Sequence, residues 1–391
     1  MKEVFIINAK RTAIGGFLGA LSGFSAPQLG SFVIRELLYG IPVDPSLVDA
    51  VYIGNVLSAN IGQSPARQAA LLAGLPVEAD CTTINKVCAS GLKAVIAGAQ
   101  QVQLGLDDLV LTGGMESMSN VPHYSFRRKA IKLGDEQLVD GLLRDGLTDA
   151  IDHFHMGSAA ELCARKFNIS RTEQDEYALE SYARANKATD LGKFRDEIVA
   201  VTSKEKNSEI VFDKDEDITK IKPEKIALLK PAFEVNGTVT AANASNVNDG
   251  AAMILLASAE AVEKYHLKPL AKIVAYADAA LSPENFTTAP SVAISGALKR
   301  AKLSLENIDF LEINEAYAAV MIANKKLLDL NMNKVNVYGG AIALGHPLGA
   351  SGARILCTLN NVLRQKNGKY GLAAICNGGG GATALIIENI K

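Results

Sequence analysis

Apolar and polar positions follow two rhythms along this chain, and the order in which those rhythms succeed one another is repeated. Residues 4–9, 51–57, 82–85 and 109–112 are apolar runs of strand length. Between them, residues 27–38, 65–73 and 92–104 carry apolar side chains at helical spacing. Leu29, Val33 and Leu37 fall on one face of the first of these, and Gly105 ends the third. The final third repeats the succession. Strands are predicted over 272–277, 308–313, 335–337, 372–376 and 383–387, and helices over 293–301, 316–328 and 352–364. Strands joined by helical crossovers imply an α/β fold. A duplicated series implies two similar βαβαβαββ halves packed about a pseudo-twofold axis, although no residue-level repeat accompanies it.

Residues 119–243 break the rhythm. They are richer in charge, with both signs mixed around 204–225, and their regular signal is helical, over 159–167 and 175–188. They read as a large inserted loop domain ahead of a further strand at 251–257. Inserts of this size build lids and binding loops more than core. The expected division is 1–118, completed by 244–268, for one half, 119–243 for the insertion and 269–391 for the other half.

Composition narrows the function classes. A chain of 391 residues is long for one hydrophobic core, and 48% hydrophobic against 21% charged residues is the balance of a globular protein. A formal charge of −2 and the lack of any long basic stretch give no reason to expect nucleic acid. No apolar run reaches membrane-spanning length. The five cysteines (Cys81, Cys88, Cys163, Cys357 and Cys376) are odd in number, scattered and without zinc-site spacing. They read as intracellular thiols, which argues against a disulfide frame and a metal centre. The amino end shows no secretion or transit pattern, so the expected address is the cytoplasm.

Four segments are candidates for chemistry. Cys88 lies in Asn85-Lys86-Val87-Cys88-Ala89-Ser90-Gly91, between a short strand and a helix start. Exposed amides and a helix dipole there stabilise a thiolate, as an acyl-accepting nucleophile requires. A lone cysteine is as readily a buried, inert residue. His346 lies in the corresponding turn of the second half, Gly345-His346-Pro347-Leu348-Gly349. It is a candidate base or simply a loop residue. Equivalent turns of two pseudo-symmetric halves would face each other and bring it to Cys88. Cys376-Asn377-Gly378-Gly379-Gly380-Gly381 joins the last two strands, and its glycines let amides converge on an anion. Asn314, in Asn314-Glu315-Ala316, sits where a strand passes into a helix, and on position alone it reads as a helix cap.

Together the Cys88 segment, Asn314-Glu315-Ala316, Gly345-His346-Pro347 and the terminal Cys376-x-Gly resemble the thiolase family in order and spacing, over essentially the whole chain. The second cysteine separates that family from the related ketoacyl synthases. The resemblance implies an acyltransferase of the acetyl-CoA C-acetyltransferase kind. Cys88, activated by His346, would take an acetyl group from acetyl-CoA. Cys376 would remove a proton from the methyl carbon of a second acetyl-CoA, whose carbanion attacks the acyl-enzyme. The amides of Cys88 and Gly378 would hold one oxyanion, and His346 with a water on Asn314 the other. The chemistry requires no cofactor beyond the coenzyme A thioesters themselves.

The resemblance also assigns coenzyme A contacts to His155, Met156, Phe233, Ala241 and Ser245, and places Lys220 and Lys225 near the nucleotide phosphates. A lysine-rich loop is otherwise merely solvated. Gly113-Gly114-Met115-Glu116-Ser117-Met118-Ser119-Asn120 and the Cys376 segment resemble the short-chain, potassium-activated, mitochondrial-type branch of the family. That likeness implies a potassium ion at Tyr182 with the carbonyls of Ala241, Ala242, Ala244 and Ile342. It also implies a homotetramer. Asn246 and Ala382 stand where many relatives carry glycine, and Asn tolerates a left-handed backbone. Two alternatives remain: a 3-ketoacyl-CoA thiolase of β-oxidation with a longer acyl pocket, and a thiolase-like protein that binds acyl-CoA without catalysis.

Overall fold

The computed structural model describes residues 2–127, 133, 135–205 and 208–390, so residues 128–132, 134 and 206–207 of the predicted insertion lie outside it. The first series runs β1 (Val4–Thr12), α1 (Ala26–Leu38), β2 (Ala50–Gly54), α2 (Pro65–Ala73), β3 (Asp80–Ile84), α3 (Ser90–Leu104) and β4 (Leu109–Ser117). The insertion contributes α4 (Met156–Lys166) and α5 (Arg171–Asp190), and β5 (Asn248–Ser258) and α6 (Ala259–Lys264) follow it. The second series begins with β6 (Ala271–Ala280), α7 (Ala289–Ala301), β7 (Phe310–Ile313) and α8 (Ala318–Leu328). It ends with α9 (Ala341–Leu344), α10 (Leu348–Gln365), β8 (Tyr370–Asn377) and β9 (Gly381–Asn389).

These nine strands lie in one sheet path, β3-β2-β4-β5-β1-β6-β9-β8-β7. Apart from β3, the strand order is symmetric about the β1·β6 seam. β1 and β6 meet antiparallel through Phe5↔Lys272 and Ile6↔Ala271. Outward from that seam, β5 and β9 are antiparallel to their neighbours, while β2·β4 and β7·β8 are parallel. The duplicated order of elements therefore folds into two matching halves.

The predicted strand at 335–337 is reduced to a single bridge, Leu311↔Val335. Asn336 is the reason. Its backbone turns left-handed (φ 46°), and its side-chain amide does what a strand backbone would do. Ile313 N donates to Asn336 Oδ1 and Asn336 Nδ2 donates to the Ile313 carbonyl, both at 2.8 Å.

Apolar side chains sort these elements into layers. Leu29, Val33 and Leu37 of α1 pack with Val51, Ile53, Leu109 and Leu111 on one face of the first half. Leu92, Val95 and Ile96 of α3 share a second core with Leu356 and Leu359 of α10 and with strands of both halves. Ala293 and Ile294 of α7 cover the far face of the second half with Leu311 and Ile313. Helices α3 and α10 thus form the central layer, and every residue of α10 from Leu348 to Leu363 is buried.

Their amino-terminal turns are in contact because glycines stand where they meet. A Cβ at Gly91 would lie 2.8 Å from the Gly349 carbonyl oxygen, and one at Gly352 2.5 Å from Leu92 N. Both helix starts carry a candidate catalytic residue just ahead of them.

The insertion is fastened to β1 by a buried charge cluster. Arg11 donates Nε to Glu197 at 2.6 Å and both Nη atoms to Asp215 at 2.7 and 3.0 Å, the bidentate geometry of strong charge-assisted bonds. Its guanidinium also lies 5.1 Å over the Phe194 ring.

Candidate active site

Cys88 stands on a sharp turn between β3 and α3. Val87 is forced left-handed (φ 47°), a rare and costly state for a β-branched residue. Ser90 holds the turn closed, since its Oγ donates to the Val87 carbonyl at 2.6 Å and accepts from Lys86 N at 2.8 Å. The turn is also tied to the other half. Lys86 pairs with Asp278 of β6, Lys93 reaches the same carboxylate at 2.7 Å, and Thr383 of β9 bonds both Lys86 and Asp278 at 2.8 Å. Burial would raise the Asp278 carboxyl, but these partners hold it down to about 2.

The sulfur faces two amides, its own and that of Gly378. Burial nevertheless pushes the Cys88 thiol up to about 11, outweighing the two N–H groups, and the Glu116 charge adds to the rise. The resting group is a thiol.

His346 occupies the matching turn before α10. Its backbone N–H donates to Asn248 Oδ1 of the first half at 2.8 Å. Gly345, at φ 107°, makes room, because a Cβ there would fall 2.5 Å from Asn248 Cγ. The ring is buried, with Nδ1 2.6 Å from Ser351 Oγ, and Nε2 has no partner among the described residues. Burial pushes the imidazole down to about 3, and the nearby Arg354 charge adds to that. His346 is therefore a neutral imidazole at physiological pH.

Cys88 and His346 line one cavity of about 230 Å³. Gly378, His155, Met156, Phe233, Ala244 and Ser245 line it with them. His155 caps α4 by accepting from Gly157 N at 2.9 Å, and its ring stacks on Phe233 with centroids 4.7 Å apart. Gly379 and Gly380 take φ values of 81° and 88° in the turn after β8. Only glycine fits at 380, where a Cβ would lie 2.2 Å from the Leu281 carbonyl oxygen.

Two predicted residues are not among those lining the cavity. Cys376 is 1% exposed and packs with Met156, Ala316 and Tyr317. Burial raises its thiol well above the ordinary range, and the neighbouring Cys88 adds to that. Asn314 is not the helix cap its position suggested. Helix α8 starts only at Ala318 with Tyr317 as its cap, and Asn314 N continues the sheet by donating to the Ala374 carbonyl at 2.9 Å. Its side-chain amide is buried, with neither end partnered among the described residues.

A second groove, about 600 Å³, shares Asn246 and Val247 with the cavity. Tyr182, Lys220, Lys225, Ala241 and Ala242 line it. Lys220 is occupied, pairing with Glu216 at 3.1 Å and Asp217 at 2.8 Å. Lys225 is exposed. Ala244 faces the inner cavity, while Ile342 lies in the core beside Tyr182 and lines neither space. Burial raises the Tyr182 hydroxyl to about 12. Asn246 is not left-handed. Its amide serves Asp217 at 3.2 Å and the Tyr182 hydroxyl instead.

Comparison with known proteins decides the family. The model described as "Thiolase, N-terminal domain" matches residues 4–260, and "Thiolase, C-terminal domain" matches residues 267–389. The chain belongs to the thiolase family. It is 53% identical to acetyl-CoA acetyltransferase 2 of Arabidopsis thaliana, covering 99% of this chain and 97% of that one. A cytosolic acetyl-CoA acetyltransferase of Gibberella zeae is 49% identical, covering 100% and 99%. Among solved structures, the Acat5 thiolase of Ascaris suum in complex with coenzyme A superposes with a TM-score of 0.95 at 44% identity, covering both chains fully.

In this thiolase, several residues that shape the site had no signal at the level of residue type. Ser351 and Asn248, which hold His346, are ordinary polar residues in the sequence. Lys86 looked like any lysine. Glu116 is the one charge in a strand whose nine residues are all buried, but it lies beyond the strand predicted over 109–112.

Among the described residues, no helix is long and apolar enough to cross a membrane, and no cluster of three or more His, Cys, Asp or Glu side chains could hold a metal.

Proposed function

We propose that this thiolase is an acetyl-CoA C-acetyltransferase. It joins two acetyl-CoA molecules into acetoacetyl-CoA and CoA through an acetyl group carried on Cys88, and it runs the same steps in reverse. The observation that carries this is the convergence of Cys88, His346 and the Gly378 amide on one cavity, with a second thiol, Cys376, packed with its lining residues Met156 and Tyr317.

Charge development follows from the electrostatics. With Cys88 held up and His346 held down, the resting pair is neutral, so the proton moves to His346 Nε2 as sulfur attacks the thioester. The thioester oxygen becomes an oxyanion where the Cys88 and Gly378 amides point, and these donors are already in place. Collapse of that oxyanion leaves the acetyl group on Cys88 and expels the first coenzyme A, whose thiolate takes the Cys376 proton and leaves Cys376 as a thiolate. The Cys376 thiolate takes a methyl proton from the second acetyl-CoA, the carbanion attacks the acetyl carbon, and Cys88 is released and regains its proton from His346 Nε2. The enolate oxygen is held by His346 and by a water on the unpartnered Asn314 amide.

Coenzyme A enters along the groove from Lys225, past Ala241 and Ser245, to the stacked His155 and Phe233, with Met156 closing the acyl end. Lys220 reinforces the phosphate end only weakly, being held by Glu216 and Asp217. Residues 119–243 act as the coenzyme A-binding loop domain between halves formed by 1–118 with 244–268 and by 269–391.

Neutral oxygens of Ala241, Ala242, Ala244 and Ile342 with the Tyr182 hydroxyl suit a potassium ion better than a divalent one. That ion would order the groove without entering the chemistry. Equal activity in KCl and NaCl would refute it. A homotetramer in the cytoplasm completes the proposal, to be checked by sedimentation and cell fractionation.

The deciding experiment is thiolysis of acetoacetyl-CoA by wild type and Cys88→Ala, with mass spectrometry after mixing with acetyl-CoA. Turnover and a Cys88-bound acetyl group, both lost in the variant, are expected. Neither in the wild type would leave a non-catalytic acyl-CoA binder.

A further inference from the structure

One buried carboxylate outside the chemistry ties the start of α10 to the segment that packs against the Cys88 turn. Glu116, near the end of β4, is fully buried. Its Oε1 accepts from Asn55 Nδ2 at 2.8 Å and Leu57 N at 3.1 Å. Its Oε2 accepts from Val56 N at 3.1 Å and Gly349 N at 2.8 Å. Four donors on two oxygens use the carboxylate's accepting capacity in full.

Three of those donors belong to the segment following β2. Its Val56 and Leu57 pack with Leu348, and Val87 and Cys88 lie against that cluster. The fourth donor is in the first turn of α10, three residues after His346. Negative charge at a helix amino terminus is favourable in itself. The fit is also steric. A Cβ at Gly349 would lie 2.8 Å from Glu116 Oε2, and a Cβ at Gly114 would lie 2.0 Å from the Gly349 carbonyl oxygen. The start of α10 is thus seated directly on the end of β4, across the boundary between the halves.

We infer that Glu116 is a positioning residue, whose carboxylate fixes the start of α10, and with it His346, at one setting relative to Cys88. This rests on the acetyl-transfer function proposed above. Glu116 makes no contact with the reacting atoms and acts only through the backbone it holds.

Ionisation matters to the role, because a protonated oxygen must give up at least one of its N–H donors. Burial pushes this carboxyl up to about 7 against the pull of the Leu57, Gly349 and Val56 amides, with Asp249 of β5 adding to the rise. Cys88 on the α3 turn and His346 on the α10 turn, the other titratable groups nearby, are both neutral in that range. Acetylation should therefore weaken on the acid side of neutrality although His346 stays unprotonated there.

The test is single-turnover acetylation of Cys88 by acetyl-CoA across that range, in wild type and Glu116→Gln. Gln offers one acceptor where Glu offers two, so one pair of donors is lost whichever way the amide turns. In the folded variant the rate should fall about 10- to 100-fold at unchanged apparent affinity, as for a misplaced catalytic group. The wild-type acid limb should be absent from the variant. A folded variant within about twofold of wild type, or with the same acid limb, overturns the inference.

If Glu116→Gln does not fold, amide hydrogen exchange of Gly349 in wild type decides. Opening that is faster at about pH 6 than at about pH 8, after correction for intrinsic rates, supports the role, and equal opening overturns it. A wild type that is never acetylated would overturn the acetyl-transfer function instead. The exchange measurement then still tests whether Glu116 fixes the helix.

Discussion

His346 Nδ1 lies 2.6 Å from Ser351 Oγ, and Ser351 in turn donates to the Pro347 carbonyl at 2.8 Å. The hydroxyl proton is committed to Pro347, so the oxygen must receive the proton on Nδ1. Nε2 is then the basic nitrogen, and it is the ring atom left without a partner. Ser351→Ala should therefore lower kcat about tenfold and leave KM unchanged, as expected when a general base loses its orientation. Steady-state thiolysis of acetoacetyl-CoA checks this. An unaltered kcat would mean that packing alone sets the ring.

The Cys88 thiol gives a pH dependence with a definite sign. Because its value is raised to about 11, only a small fraction is thiolate at neutrality, and that fraction grows about tenfold per pH unit on the way up. Alkylation by iodoacetamide without substrate should climb log-linearly from about pH 7 to about pH 9. A plateau in that interval, read by mass spectrometry of the Cys88 peptide, would show a preformed thiolate.

Helices α3 and α10 are spaced by glycines. Gly91→Ala would put a methyl group 2.8 Å from the Gly349 carbonyl oxygen and 2.9 Å from Ala353 N, which are backbone atoms that cannot rotate away. A loss of about 1–3 kcal/mol in stability is expected, in the range of overpacked cores. Acetylation should be slowed as well, since the same helices carry the two turns. Denaturant melts and activity per folded molecule check the two effects separately.

The two groove lysines should behave differently. Lys225→Ala should raise KM for acetoacetyl-CoA several-fold, and less so at high salt, since an exposed charge is screened. A truncated pantetheine thioester should show no change. Lys220→Ala should have a smaller effect on KM, because that ammonium is already paired with Glu216 and Asp217. Kinetics on both thioesters in low and high salt separate the two lysines.

What the sequence made legible was whatever depends on neighbours along the chain. The strands and helices around Leu29, Leu92 and Leu372 are there because period and length are local properties. The start of α10 was placed late: the helix begins at Leu348, directly after Pro347, where Gly349 and Gly352 had diluted the apolar pattern. The turns bearing Cys88 and His346 were visible from their glycines and from the duplicated order. Asn336 was not legible as a strand substitute, since nothing in its residue type says that its amide will pair with Ile313. The same holds for Asn314, whose helix starts at Ala318, two residues later than the pattern suggested. Ser351, Asn248 and Glu116 act through partners that the fold supplies, two of them from the opposite half. Their roles exist only once the two turns have met.

The ion pairs from Lys86 and Lys93 to Asp278 have a consequence for how this protein fails. The Cys88 turn is moored to the second half, while the His346 turn is moored to the first through Asn248. Neither half can loosen by itself and keep its own proposed catalytic residue in register. Partial melting of one lobe therefore cannot yield a species that is half competent. Heat or denaturant should extinguish activity in an all-or-none fashion, coincident with the parting of the lobes, and a chain severed near the β1·β6 seam should recover function only when both fragments fold together.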